Sequence, residues 1–274
     1  MLPSFGGVCL FFIVPFAVIV YYSMIESPLN HTFVWFQNFQ NVLTNTSFVK
    51  ASQHTLTFSA TAVPLAVVLS MLLASLLESR IPGKSLFRTF FLSPLMVPVA
   101  SIVLIWQVIF HYNGALNEIL LKIGIEPIDW LKSSWSQAVV VLLFLWKNLG
   151  YNMILFMAAY NNMPKDLIEV AQVEGASSVY TFFMIKFRYL SPTILFVTIL
   201  SLINSFKVFR EIYMLAGDYP YEDLYMLQHF MNNTFANLDY QKLSAAAVFM
   251  AIVMILIILV LFVTESWFGR DIEG

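Results

Sequence analysis

The chain has 274 residues, of which 59% are hydrophobic and 11% are charged, and its formal net charge is −2. Soluble domains carry about 25% charged residues, so this composition excludes a soluble globular fold and indicates an integral membrane protein. The small net charge also argues against nucleic acid as a partner.

Long apolar runs follow one another along the chain and predict membrane-spanning helices. A helix needs about 20 mostly apolar residues to cross a bilayer, whereas the strands of a transmembrane barrel show short alternating segments. We therefore predict an all-α integral membrane protein with a single membrane domain over residues 1–274. Its six transmembrane helices are predicted at about residues 5–25, 54–77, 90–111, 136–158, 193–215 and 244–264.

Basic residues between these spans predict the orientation, because cytoplasmic loops carry an excess of Lys and Arg. With the N-terminus inside, seven basic residues fall in inner loops and four in outer loops. The inner residues are Arg80, Lys84, Arg88, Lys165, Lys186, Arg188 and Arg270, and the outer ones are Lys50, Lys122, Lys132 and Lys242. Both termini and the 159–192 loop are thus predicted to be cytoplasmic.

The first predicted span begins almost at Met1 and has no basic flank. A secretory signal peptide would show a positive start and a small-residue cleavage site, and neither is visible. We expect either that a basic leader is missing from this sequence or that neighbouring helices orient the first span.

The charged loop between the fourth and fifth spans has helical spacing. Pro164 is suited to open a helix, and Asp166 and Glu169 place negative charge in its first turn, where the helix dipole favours it. Gly175 then stops or bends the helix, and a second apolar stretch runs from Val179 to Phe187. By pattern alone, this loop is either a docking surface or a solvated amphipathic connector.

The same loop resembles the signature loop of bacterial ABC import permeases. The matching positions are Glu169-Val170-Ala171, Gly175, Ile185 and Pro192, preceded by the similar approach Ala158 to Lys165. Three positions depart from the family pattern. Glu174 stands where the family has an aspartate, so the charge is kept. Phe187-Arg188 stands where the family has a Leu-Pro pair, so the pattern does not predict the backbone geometry at the start of the fifth helix.

Similarity to the carbohydrate-uptake branch of this family extends along nearly the whole chain. It is carried by Leu2-Pro3 through Tyr22-Ser23, Arg88 to Pro94, Gly114 to Asn117 and Trp146 to Tyr151. The chain resembles the first permease of maltose-type and glycerol-phosphate-type systems. That resemblance implies a second homologous permease, two cytoplasmic ATPase subunits, an extracellular solute-binding protein, a carbohydrate substrate and a bacterial cytoplasmic membrane.

The resemblance also assigns a role to the loop. In the family it forms a coupling helix that seats in a cleft of the ATPase and passes ATP-driven closure to the membrane helices. This implies that Glu169, Ala171, Glu174 and Gly175 carry the coupling contact.

Polar residues inside the fourth and fifth spans indicate a water-filled site. A charge at the bilayer centre costs about 2.5–3.5 kcal/mol and usually faces a cavity or a partner. Lys147 and Lys207 lie at similar predicted depths, roughly 16 Å and 12 Å from the outer ends of their helices. Together with the resemblance, this predicts substrate binding by Asn148, Tyr151, Asn204, Lys207, Lys147 and Arg210.

Structural alternatives exist for the same charges. Lys207 and Glu211 have the spacing of a helical ion pair, Arg210 can extend to the membrane surface, and Lys147 can pair with the second permease. The basic residues can also select an anionic sugar or sugar phosphate.

Catalytic patterns are missing from the chain. It has no phosphate-binding glycine-rich loop, so we expect ATP and magnesium to bind a partner ATPase and no cofactor to bind this chain. Its four histidines lack metal-ligand spacing, and no acidic pair lies inside the spans. The remaining rival is a secondary transporter, which usually shows repeated halves and works without an ATPase.

Overall fold

The computed structural model of the chain describes residues 2–78 and 83–269. Arg80 and Arg270, which were counted for the orientation, lie outside these residues. Within them the fold is all-α, as predicted, with an isolated antiparallel bridge between Ile25 and Phe33.

Six helical segments in the described residues are long and apolar enough to cross a membrane. They are Pro3–Ser23, Thr46–Glu78, Val99–Lys122, Ser136–Asn161, Ser191–Ala216 and Tyr240–Trp267. The number of spans agrees with the prediction. Several bounds differ from the predicted ones, most clearly in the third span, predicted at 90–111 and found at Val99–Lys122, and in the second, which begins at Thr46.

The chain divides into two compact units, residues 1–55 with 225–257 and residues 56–224 with 258–274. Two long helices, α4 and α15, contribute to both units. The helices are α1 Leu2–Val8, α2 Val14–Ser23, α3 Gln37–Leu43, α4 Thr46–Glu78, α5 Lys84–Met96, α6 Val99–Phe110, α7 Ala115–Lys122, α8 Ser136–Asn161, α9 Lys165–Val173, α10 Ser178–Tyr180, α11 Phe187–Tyr189, α12 Ser191–Lys207, α13 Phe209–Ala216, α14 Leu227–Ala236 and α15 Tyr240–Gly269. Two π-helical turns, Cys9–Ile13 and Thr181–Lys186, join α1 to α2 and α10 to α11.

The first unit packs around aromatic rings and small residues. Phe48 of α4 lies edge-on to Phe230 of α14 and to Phe249 of α15, with ring centroids 5.3 Å and 5.7 Å apart. Thr55 donates to the Ala51 carbonyl at 2.9 Å and accepts from the Leu227 amide at 2.8 Å, so its hydroxyl links α14 to α4.

The second unit contains the polar residues predicted for the translocation site. A stacked pair, Trp106 and Phe110 at 4.9 Å, lies at the centre of one of its apolar clusters. At Gly150 a Cβ atom would lie 1.9 Å from the Phe91 carbonyl oxygen, so α8 and α5 approach closely only because this residue is glycine. Such close approach through a small residue is typical of membrane helix pairs.

Hydrogen bonds between side chains hold α12 against α4 and α8 inside the second unit. Ser205 shares a 2.8 Å hydrogen bond with Ser59, and Asn152 donates to Ser201 at 2.9 Å. All four side chains are buried. In a membrane, a buried polar group without a partner would be costly, so these pairs orient α12.

Two apolar segments that were predicted as continuous spans are interrupted. The 90–111 segment breaks between α5 and α6, where Val97 has an extended backbone because Pro98 disfavours a helical residue before it. The 193–215 segment breaks at Val208, between α12 and α13.

Candidate translocation site and coupling loop

A cavity of about 160 Å³ lies in the second unit, where α8 faces the junction of α12 and α13. All six of the predicted substrate-binding residues line it. The lining consists of Leu95, Leu143, Phe144, Lys147, Asn148, Tyr151, Asn204, Lys207, Val208, Arg210 and Glu211. Both helix interruptions fall close to it, since Leu95 precedes the Val97-Pro98 break and Val208 is itself a lining residue. Non-helical backbone inside a membrane is tolerated where it lines a cavity.

Glu211 is the cavity residue whose role the sequence pattern did not predict correctly. Its spacing indicated an ion pair with Lys207, but its carboxylate Oε1 pairs with the Lys147 ammonium across the cavity. The helix is interrupted at Val208, between the two residues expected to pair. The side chain of Glu211 is 4% exposed and that of Lys147 is 33% exposed, so the carboxylate is the more deeply buried of the two groups.

The second carboxylate oxygen of Glu211 has no hydrogen-bond partner among the described residues, although it is buried. Buried polar atoms are almost always paired, and an unpaired one next to a cavity calls for a missing partner. Glu211 lines the cavity, but this oxygen has almost no accessible surface, so a bound molecule reaches it only if the side chain moves.

Two amides link α12 to α8 beside this ion pair. Asn204 Nδ2 donates to Asn148 Oδ1 at 2.9 Å, and Asn148 Nδ2 donates to the Phe144 carbonyl at 2.8 Å. These bonds fix the orientation of both amides and direct both Nδ2 groups to protein acceptors. The Asn204 side-chain oxygen makes no hydrogen bond within the described part of the chain, so it adds a second acceptor to the cavity wall.

Lys207 and Arg210 are exposed, and neither forms an ion pair within residues 2–78 and 83–269. Tyr151 is 41% exposed and adds an aromatic ring with a hydroxyl. Since Lys147 is neutralised by Glu211, the two remaining cations give this cavity a positive charge. The arrangement combines donors, acceptors and an aromatic face, which is a binding surface and not a catalytic one.

The loop between α8 and α12 has the predicted form of a helix, a glycine break and a second helix. Helix α9 ends at Val173, and Gly175 follows with φ at +77°, a conformation that favours glycine. The Gly175 amide donates to the Gln172 carbonyl at 3.1 Å, and the Ala176 amide donates to the Ala171 carbonyl at 2.9 Å. This pair of bonds is a Schellman motif, which ends the helix sharply.

The predicted coupling residues occupy different faces of this loop. Glu169, Glu174 and Gly175 are exposed, as a contact with another subunit requires. Ala171 is 5% exposed and packs inward, so its side chain lies off the exposed face of α9, and its part in the coupling contact stays a prediction. The small side chain of Ala171 lets α9 lie against the rest of the unit. Leu167, Val170 and Val173 are exposed apolar residues on α9 that the coupling prediction did not name.

Phe187-Arg188, where the family pattern has Leu-Pro, lies in a helical connection. The π-helical turn Thr181–Lys186 continues into α11, and α12 begins at Ser191. The chain therefore enters the fifth span through helical backbone.

Comparisons with known proteins define the class of this molecule. Residues 53–274 match the family described as the inner membrane component of binding-protein-dependent transport systems. The chain belongs to this family and is a multi-pass permease of an ABC importer. The secondary transporter is thereby excluded, and the chain is not itself an enzyme, since ATP hydrolysis belongs to a separate subunit.

Individual relatives agree with this class. The chain is 33% identical over 213 residues to the arabinooligosaccharides transport system permease protein AraP of Halalkalibacterium halodurans, an alignment that covers 73% of this chain and 67% of the relative. It is 29% identical over 259 residues to the sn-glycerol-3-phosphate transport system permease protein UgpA of Brucella abortus, which covers 92% and 88% of the two chains.

The fold has a solved counterpart. The crystal structure of a bacterial ABC transporter involved in the import of the acidic polysaccharide alginate superposes with a TM-score of 0.84 at 21% identity. The superposition covers all of this chain and 94% of the other. At this identity the similarity concerns the fold.

Proposed function

We propose that this chain forms one half of the membrane path through which an ABC importer carries a sugar or oligosaccharide. The observation that carries the proposal is the cavity between α8 and the junction of α12 and α13. Its wall offers the Asn204 side-chain oxygen, the cations Lys207 and Arg210, and the ring of Tyr151. Sugar hydroxyl groups both donate and accept, so they complement this mixture.

The relatives support a carbohydrate cargo. AraP is named for arabinooligosaccharides, and the superposed transporter imports a polysaccharide. Both names refer to molecules rich in hydroxyl groups, and such groups can form hydrogen bonds with the polar residues that line the cavity.

A second candidate is an anionic saccharide, which the uncompensated cations Lys207 and Arg210 favour. Placing two positive charges at membrane depth is costly unless a counter-charge or water compensates them. An anionic cargo would supply that counter-charge during transport. UgpA and the alginate transporter are both named for anionic substrates.

Helix α9 is proposed to dock into the ATPase subunit. Its outward face combines the carboxylate of Glu169 with two exposed valines, Val170 and Val173, the second of them 89% exposed. An apolar pair beside a charge is a typical protein-contact surface. ATPase closure would then move α9 together with the turn that follows it.

The full transporter is proposed to contain this chain, a second homologous permease, two ATPases and an external binding protein. ATP and magnesium would bind the ATPases, and this chain would bind no cofactor. None of the residues in the apolar window of the first span is buried within the chain, so lipid or the second permease must cover them. Both termini are proposed to face the bacterial cytoplasm, as the loop charges indicate.

The site is tested by alanine substitutions in the complete transporter reconstituted in liposomes. We expect Lys207→Ala to raise the KM for substrate delivered by the binding protein about tenfold, since a hydrogen bond to a charged group contributes about 1.5 kcal/mol or more. Asn204→Ala should raise it about fivefold, since a neutral hydrogen bond contributes about 1 kcal/mol. Basal ATP hydrolysis should persist. Matched controls are Asn237→Ala and Lys122→Ala, which change exposed residues away from the cavity.

Uptake is measured with a neutral trisaccharide and with the matching uronate trisaccharide. Transport of the uronate alone, abolished by Lys207→Ala, would favour the anionic candidate. Unchanged KM values in both site variants would refute the assignment of this cavity, and uptake that needs no ATP would refute the proposed function itself.

A further inference from the structure

Lys186 lies at the point where the segment after α9 meets the inner ends of two spans. Its ammonium donates to Glu78 Oε2 at 3.1 Å, at the end of α4, and lies 5.5 Å from the centre of the Tyr160 ring, near the end of α8. Glu78 and Lys186 are 108 residues apart in the chain. One side chain therefore contacts the second and fourth spans at once.

The turn that carries Lys186 is in direct contact with α9. Helix α9 packs against the π-helical turn Thr181–Lys186. Ser177 caps the start of this segment by accepting from the Tyr180 amide at 3.2 Å. Further along, the Tyr189 hydroxyl donates to the Asn162 carbonyl at 2.9 Å, which attaches the end of the segment to α8. A displacement of α9 therefore reaches Lys186 through packed backbone.

The packing around Lys186 is incomplete. A cavity of about 280 Å³ separates α9 from α4, and Lys186 lines it together with Ser75 and Gln172. The Tyr160 hydroxyl is buried and has no hydrogen-bond partner in the part of the chain that the structure describes. Close-packed interiors resist movement, whereas an unfilled polar contact admits a second arrangement at low cost.

The same segment continues into the helix that carries the translocation site. Helix α12 begins at Ser191, and Lys207 lies 16 residues further on, which is about 24 Å along a helix at 1.5 Å per residue. Asn204 lies on the same helix. Movement at Lys186 is thereby linked to the cavity wall through one rigid element.

We propose that Lys186 is a positioning residue that passes the movement of α9 to α4 and α8 through Glu78 and Tyr160. The inference rests on the proposed docking of α9 to the ATPase. The side chains of Lys186 and Glu78 are 20% and 32% exposed, and an ion pair with this exposure adds little to stability. Its role is therefore geometric: it keeps three elements moving together.

Charge exchange in the complete, reconstituted transporter tests this role. Lys186→Glu and Glu78→Lys should each lower the sugar transported per ATP hydrolysed at least tenfold, while ATP hydrolysis and membrane level stay within about twofold of the wild type. The double exchange should recover at least half of the wild-type ratio. Lys186→Arg keeps a positive charge that can contact both Glu78 and Tyr160, so it should also retain the wild-type ratio of sugar transported to ATP hydrolysed.

The control is Lys122→Glu, a charge reversal at an exposed residue far along the chain from this contact. If a reversal variant does not reach the membrane, Lys186→Met and Glu78→Gln take its place. An unchanged transport-to-ATP ratio in the single variants would overturn the inference. So would a loss of ATP hydrolysis that the double exchange does not restore, because that outcome indicates a structural role. ATP-independent uptake by the wild type would instead overturn the proposed function.

Discussion

The charges inside the predicted spans differ in their surroundings, so substitutions at them are expected to have different effects. Glu211 is buried and pairs with Lys147, whereas Lys207 and Arg210 are exposed at the same cavity. Removing one member of a buried pair leaves an uncompensated charge, which costs more than removing both. Removing an exposed cation leaves nothing unpaired.

We expect Lys147→Met to lower the free energy of unfolding by about 3 kcal/mol, since it leaves the Glu211 carboxylate buried alone. The double variant Lys147→Met/Glu211→Met should show a smaller decrease in the free energy of unfolding, because no charge is left unpaired. Thermal unfolding of the purified transporter in detergent measures both, with Lys207→Met as the exposed control. Additive losses in the double variant would show that the two side chains do not interact.

At the scale of one element, α9 has an inner face and an outer face. Ala171 packs inward, while Glu169, Val170 and Val173 point away from the unit. The Schellman motif at Gly175 sets where the helix stops and where the following turn begins. No atom lies within 4 Å of a Cβ placed at Gly175, so a substitution there acts through backbone strain alone.

We expect Gly175→Val to uncouple ATP hydrolysis from transport, because a non-glycine residue at this positive φ costs about 1–2 kcal/mol. Gly175→Asn should have a smaller effect, since Asn tolerates this conformation.

Glu169→Lys should also uncouple ATP hydrolysis from transport, because it removes the proposed contact with the ATPase, and it should leave the stability of the protein unchanged. Transport and ATP hydrolysis are measured on the same preparation. Full coupling in both Gly175→Val and Glu169→Lys would contradict a docking role for α9.

At the scale of the whole molecule, the charges between the spans predict which side of the membrane each loop faces. The charge count predicts that the 78–89 segment lies inside and the 112–135 segment outside. Ser85, in the first turn of α5, and Lys122, at the end of α7, are exposed residues in these two segments. They therefore report the orientation without disturbing the cavity.

Cysteine labelling in intact spheroplasts tests this orientation, with Cys9→Ser as background. We expect a membrane-impermeant maleimide to label Lys122→Cys in intact spheroplasts, and Ser85→Cys only after the membrane is opened. Both should be labelled in opened membranes, which controls for reactivity. The reverse pattern would place both termini outside.

The class of protein, the number of spans and the helix-glycine-helix loop could all be predicted from the sequence. Each depends on local patterns: long apolar runs, charges between them, and the Pro164 and Gly175 signals around α9. Inside a bilayer every backbone polar group needs a hydrogen-bond partner within the protein, so long apolar runs of this kind form helices. The polar residues of the fourth and fifth spans were also predicted as one site. A charge inside the membrane is costly, so each such residue is expected to face a cavity or a partner even when that partner is unknown.

The pairing of those residues was decided only by the tertiary structure. Spacing favoured Lys207 as the partner of Glu211, yet Glu211 pairs with Lys147, 64 residues away in the chain. Glu78 and Lys186 are more distant still, and the inward position of Ala171 depends on what α9 packs against. Local periodicity shows which residues share a helix face. Only the packing of one helix on another determines which residue each face meets.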